Sequence, residues 1–191
     1  MSHVERRRFL WIVFLVGVAL IVAVAASGTT LVAMRFEDLA GRATAVARVR
    51  CLSARSLMER GEIWTETQFE VEKSEKGLLG GLVTVRMPGG KVDGLHARVD
   101  GVPEFQPGEE AYLFLWGAEN GAYRVLGWTQ GTFRVRRDAK SGAERVTQDS
   151  AGAAVFDAGT RTFQKDGIRG MSIAGFEEKL RAALAGNGGG R

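Results

Sequence analysis

Apolar and polar positions alternate most regularly between residues 63 and 87. Ile63, Thr65, Thr67, Phe69 and Val71 share one side of an extended chain, and Trp64, Glu66, Gln68, Glu70 and Glu72 share the other, the period of a half-buried strand. After a polar, glycine-rich connection from Lys73 to Gly81, Val83, Val85 and Met87 point inward and Thr84 and Arg86 outward, until Pro88-Gly89-Gly90 ends the run. These segments predict a hairpin-like pair at the centre of the fold. Upstream, Ala45, Ala47, Val49 and Cys51 alternate with Arg48 and Arg50 and predict the first strand. Downstream, Ala111 to Trp116 is a continuous apolar run of strand length and reads as the most buried strand. Asn120-Gly121 supplies a tight turn before a strand from Tyr123 to Trp128. A further strand from Thr132 to Arg137 has Phe133 and Val135 inward and Arg134 and Arg136 outward. One interior is expected to collect Phe69, Val71, Val83, Val85, Leu113, Leu115, Phe133 and Val135.

The period changes to helical at two places. Phe36, Leu39 and Ala43 fall at i, i+3 and i+7 within Met34 to Ala43, a short amphipathic helix. Ile173, Phe176, Leu180 and Leu184 form the stripe of a final helix that Ser172 can cap, opposite Glu177, Glu178 and Arg181, and this stripe is expected to pack on the sheet. Lys91 to Pro107 is punctuated by glycine and proline and holds a weak strand at Leu95 to Val99. Val155 and Phe156 add a short strand, while Lys140 to Gln148 and Gly159 to Gly170 read as loops. The expected architecture is mainly β with roughly six strands. A small OB-like barrel leads and an open sandwich is the alternative, with a β-rich domain over 29–170, the packed helix over 171–185 and a flexible glycine-rich tail over 186–191.

The N-terminus has a different pattern. Arg6-Arg7-Arg8 precedes Phe9 to Ala26, a run of 18 residues without a charged or polar side chain. Basic and apolar regions followed by the small-residue stretch Ala23-Val24-Ala25-Ala26-Ser27 fit a signal peptide over 1–28, with an A-x-A cleavage site at Ala23 to Ala25. As a helix the run rises about 27 Å, enough to cross a hydrocarbon core, so an uncleaved transmembrane anchor fits the same residues. Arg6-Arg7-Arg8-Phe9-Leu10 also resembles the twin-arginine export signal. Either route delivers the chain to the periplasm, free or anchored in the inner membrane, with the domain outside the cytoplasm.

Composition narrows the function. The formal charge is +4, and removing Glu5, Arg6, Arg7 and Arg8 with the first 26 residues leaves +2, too little for a nucleic-acid surface. Two histidines, His3 and His96, and the single cysteine Cys51 leave little vocabulary for metal binding or nucleophilic catalysis. The chain has no H-E-x-x-H, C-x-x-C, G-x-S-x-G or G-x-x-x-x-G-K-[ST] motif. No catalytic residue, cofactor or metal is therefore expected. The pairs Glu70 with Glu72 and Glu109 with Glu110 are spaced as solvent faces or turn neighbours. Trp64, Trp116, Tyr123, Trp128 and Phe133 fit either a recognition groove for a peptide or glycan or the core. Loops carry function on a rigid β scaffold, which singles out Lys91, Val92, Asp93, His96 and Arg98 as a partner-binding loop.

A resemblance covers roughly Thr29 to Arg137. The segments T-T-L-V-A-M-R-F-E-D-L-A-G-R-A, T-E-T-Q-F-E-V-E-K-S-E-K-G, T-V-R-M-P-G-G, F-Q-P-G-E-E-A-Y-L-F-L and Q-G-T-F-R-V resemble a group of exported bacterial proteins with a signal peptide and a β-rich domain. More distantly, V-E-K-S-E-K-G and F-Q-P-G-E-E-A-Y-L-F-L are similar to the netrin-like, tissue-inhibitor-of-metalloproteinase type of OB-fold. In that inhibitor family an N-terminal cysteine reaches the target's zinc and disulfides lock the inhibitory edge, whereas here Cys51 stands alone within a strand. Two functions are thus expected: a non-enzymatic binding module of the cell envelope for an envelope protein or peptide, or an inhibitor or accessory of an envelope metallopeptidase.

Overall fold

The computed structural model describes residues 32–119, 121–139, 141–165 and 167–187. The predicted signal or anchor segment and the predicted tail beyond residue 187 lie outside the described residues. Residues 186 and 187 belong to the final helix rather than to a tail, and no helix within the described residues is long and apolar enough to cross a membrane. The fold is mainly β. Helix α1 (Phe36–Arg42) leads into β1 (Ala45–Glu59) and β2 (Glu62–Lys76), two 15-residue strands that form a long hairpin. Its two-residue turn places Arg60 and Gly61 at φ 51° and 83°, the left-handed pair that matches the strands' own twist. Strand β3 (Leu82–Pro88) pairs antiparallel with β2 from Glu70↔Leu82 to Trp64↔Pro88, which is the predicted central pair. After the small hairpin β4 (Gly90–Val92) and β5 (Leu95–Ala97) come β6 (Glu110–Glu119), β7 (Ala122–Val125) and β8 (Thr132–Arg137).

Hydrogen bonding closes five strands into a ring, β1-β2-β3-β7-β6-β1. Only β3 and β7 run parallel, and β1 meets β6 from Ala45↔Leu115 to Arg50↔Glu110. The sheet then continues from β6 through β8 to β9 (Glu144–Gln148) and β12 (Met171–Ser172). A separate hairpin pairs β10 (Val155–Asp157) with β11 (Thr162–Gln164). Helix α2 (Ile173–Asn187) closes the domain. Ser172 Oγ accepts from the N–H of Gly175 at 3.2 Å, the capping bond expected of a serine there.

Strand β6 is buried on both faces because it serves two cores. Ala111, Leu113 and Leu115 face the ring interior with Ala47, Val49, Cys51, Phe69 and Val85. Tyr112 and Phe114 face outward into a second core with Leu39, Phe133, Val146, Phe176 and Leu180. Aromatic rings dominate that core, with Phe36 edge-on to Phe114, Phe133 and Phe176 at 5.6, 5.6 and 5.7 Å. Tyr112 donates its O–H to Glu177 at 2.9 Å, and Lys73 donates to the same carboxylate, tying α2 to the sheet.

This division corrects the single interior expected from the sequence. Phe133 and Val135 belong to the helix-covered core, because β8 pairs with β6 beyond the ring rather than within it. Arg134 was expected to face solvent, yet it is only 9% exposed, since residues 104–109 cover that face of β8. Residues 144–148, expected as a loop, form β9. There Val146 and Gln148 are the inward positions, and an inward amide breaks the apolar period that would have marked a strand. The expected loop over 159–170 contains β11.

Candidate functional site

At the end of the ring near the β1–β2 turn, the inward rows change chemistry. Ala45, Ala47, Val49 and Cys51 project into the apolar core, and the register then shifts between Cys51 and Ser53, so that Ala54 and Ser56 become the inward positions. Their cross-strand partners are Thr67 and Thr65, which stand opposite Val85 and Met87. The interior therefore opens into a mouth floored by hydroxyls. One proton chain is fixed by donor count: Thr65 Oγ1 donates to Gly89 O at 2.7 Å, so its 2.9 Å contact with Ser56 Oγ must be a bond that Ser56 donates. Ser56 Oγ in turn accepts from the backbone N–H of Lys91 at 3.2 Å. Gly90 crosses this hydroxyl pair so closely, at φ 132°, that a Cβ there would sit 2.2 Å from Ser56 Oγ.

The hairpin β4–β5 stands over the mouth. Its turn uses Asp93 and Gly94 at φ 48° and 80°, and it pairs Lys91 with His96. A cavity of about 240 Å³ lies beneath, lined by Ser56, Thr65, Thr67 and Met87 below and by Lys91, His96 and Arg98 at the side. Of the five loop residues singled out from the sequence, these last three line the cavity, whereas Val92 and Asp93 do not. Glu104 is the one carboxylate among the lining residues. The Ser56 and Thr65 hydroxyls, with Lys91 and with Arg98, which stands 3.9 Å from Asp100, suit an anionic group that also accepts and donates hydrogen bonds, and His96 adds a hydrogen-bonding ring to the rim.

The opposite wall, Val102 to Gln106, is held by Arg134. Its guanidinium donates to Asp149 at 3.0 Å, to Glu109 Oε2 at 2.6 Å and to the carbonyl of Glu104 at 2.6 Å. It also lies 4.3 Å from the centre of the Phe105 ring, which packs edge-on to Phe69 at 5.0 Å. Phe105 thereby plugs the ring where the mouth begins. Burial pushes the Asp149 carboxyl above the usual carboxylate range, against the pull of the adjacent Arg134. The sequence offered no signal for this wall, because Arg134 sits at a position whose alternation reads as solvent-facing.

The aromatics do not share one groove. Tyr123 and Trp128 pack against the ring core and Phe133 lies in the second core, while Trp64 and Trp116 sit on the outer face. There the guanidinium carbons of Arg86 and Arg124 lie 4.9 and 5.6 Å from the Trp64 ring. Arg86 also pairs with Glu59 at the hairpin turn. This patch balances its charges internally. Arg48 and Arg50 likewise bridge Glu72, Glu110 and, through Arg48, Glu144 on the outside of β1.

Among the described residues, no three His, Cys, Asp or Glu side chains lie close enough to hold a metal ion. Cys51 is 1% exposed inside the ring, and burial pushes its thiol up, away from the reactive thiolate. No protein-family model matches the chain, and no curated protein matches it.

Proposed function

We propose that this chain is an exported binding module of the cell envelope that holds an anionic segment of a protein or peptide partner in the mouth of the ring and does not turn it over. The observation that carries the reading is the mouth itself: Lys91, His96 and Arg98 against Glu104, above the Ser56, Thr65 and Thr67 hydroxyls. Support for the fold beneath it comes from the strand order β1-β2-β3-β7-β6-β1, the order of a five-stranded OB-like barrel, whose mouth is a usual place for a ligand. Export rests on Arg6-Arg7-Arg8 and the apolar run Phe9 to Ala26. The non-enzymatic reading rests on the sequence, which holds none of the motifs that carry hydrolytic, metal or phosphate chemistry, and on a site made of Lys91, Arg98 and ordered hydroxyls.

The inhibitor reading draws on the same strand order. A buried Cys51 has no path to a target's zinc, so inhibition would have to run through the mouth instead. Calorimetric titration of the folded domain with acidic and basic hexapeptides of matched length tests the proposal. Binding confined to the acidic set, weakened by salt, is the expected result. Preference for the basic set, or hydrolysis of either set, overturns it.

A further inference from the structure

The ring is closed along only part of β1. Strand β6 covers β1 from Ala45 to Arg50, and two further backbone bonds fasten Cys51, whose N–H donates to Glu109 O and whose carbonyl accepts from Gly108, each at 2.8 Å. Beyond that point the chain of residues 103–106 departs from β1. Among the described residues, Ser53 to Met58 then have β2 as their only ladder partner, from Ser53↔Gln68 to Met58↔Ile63. The other side of this stretch is an unpaired row of N–H and C=O groups. It is also open to solvent: Leu52 and Met58 are 42% and 43% exposed, and Ser53, Ala54 and Arg55 are exposed as well. Six residues in strand conformation span about 20 Å, long enough for a partner strand of the same length.

The unpaired edge and the mouth are one feature. The cavity is lined on one side by Ala54 and Ser56 of this edge and on the other by Phe105 and Gln106, so it opens along the seam that β6 leaves unfilled. A strand laid in that seam directs every second side chain toward the hydroxyl floor and the rim of Lys91, His96 and Arg98. Arg55 adds another cation on the same strand, its side chain 80% exposed and 3.8 Å from Glu66. The register shift beside Leu52 marks where pairing with β6 gives way to the free edge.

We infer that an extended peptide with an acidic side chain completes the sheet by pairing with β1 over Ser53 to Met58, its carboxylate entering the mouth beneath Lys91, His96 and Arg98. The inference rests on the mouth being the binding site and names its ligand. Main-chain bonds to β1 supply affinity without regard to sequence, and the mouth selects which side chain is accepted. A second copy of this chain pairing edge to edge is the competing occupant, and Lys91, Arg98 and Arg55 disfavour it, since like charges meet across each such pair.

The test uses acetylated, amidated hexapeptides of alternating valine and threonine with one glutamate moved through each position, and their N-methylated forms. Successive amides of a strand point to opposite sides, so methylating one alternate set removes the bonds to β1 and methylating the other leaves them. The expected result is at least a tenfold loss of affinity for one set, less than twofold for the other, and slowed amide exchange at Ser53 to Met58 in the complex. Equal affinity for both sets with unchanged exchange at β1 overturns edge pairing. If the variant K91A/H96A/R98A still loses binding in that case, the mouth remains the site and only the strand geometry is wrong. If instead the phase effect persists and that variant binds as well as wild type, the edge stands and the mouth reading fails. Slowed exchange at Ser53 to Met58 in the peptide-free protein that deepens with protein concentration makes a second copy the occupant and overturns the peptide. Absence of binding by every glutamate position also overturns it.

Discussion

Strands β1 and β2 build two unlike ends of one ring. At the closed end Ala47, Val49, Cys51 and Phe69 meet Leu113 and Leu115 of β6, and every inward side chain is apolar. At the mouth the same two strands, continued past the last β6 pair, present Ala54, Ser56, Thr65 and Thr67. The difference follows from what lies opposite. Where β6 completes the wall, water is excluded and hydroxyls would be left without partners. Where it departs, hydroxyls find each other, the backbone of Gly89 and Lys91, and solvent. The closed end thus packs the two strands against β6, and the open end carries a hydrogen-bonded polar surface on the same strands.

Removing what separates the two ends should do the most damage. Arg134→Ala takes the cation from the part-buried Asp149 and the more exposed Glu109, removes the bond to the Glu104 carbonyl and releases the Phe105 wall, an expected loss of about 3–5 kcal/mol in denaturant unfolding. A change under about 1 kcal/mol would mean that the wall is held by Phe105 packing alone. Leu113→Ala strikes the closed end and should cost about 2–5 kcal/mol while leaving the shape of the mouth intact. A stability within error of wild type would show that β6 does not form the inner wall.

Smaller effects separate the ring from its helix-covered side. The Lys73 ammonium, and then the Tyr112 hydroxyl, hold the Glu177 carboxyl below its ordinary range. A carboxyl whose folded pKa is depressed stabilises the fold above its unfolded value, about 4.3, and that contribution disappears as the pH falls through the folded value. Glu177→Gln should therefore be less stable than wild type at pH 7 by about 0.5–1 kcal/mol, the gap closing on acidification. A gap that stays constant from pH 7 to pH 3 would remove the ion pair from the account. Asp149 works in the opposite sense, because its raised carboxyl favours the fold most at low pH.

Much of the ring was legible in the sequence, and the reasons it became illegible are local. Alternation located β2, β3 and β8, the continuous apolar run located β6 and announced its burial on both faces, and the serine before α2 marked its start. In β1 the pattern held to Cys51 and failed at the register shift, after which Ser56 takes the inward side with nothing apolar to show it. Thr65 and Thr67 read as β-branched interior positions, so their role as a polar floor depended on where β6 ends, a long-range fact. The loop over 91–98 was found from its glycine punctuation, but which of its residues face the cavity depends on the Asp93-Gly94 turn pairing Lys91 with His96. Arg134 shows the limit most plainly: a basic residue in alternating register is solvent-facing unless a remote loop covers it, and here residues 104–109 do.

The central claim is that the mouth binds and does not react. Its most direct test is calorimetric titration of wild type and of the variant K91A/H96A/R98A with the acidic hexapeptide set, alongside chromatography of the recovered peptides. All three residues are exposed, so the variant should unfold within about 0.5 kcal/mol of wild type. The predicted result is binding by wild type, at least a tenfold weaker affinity for the variant, and every peptide recovered intact. Equal affinity for the two proteins, or cleaved peptide in the wild-type sample, would contradict the account.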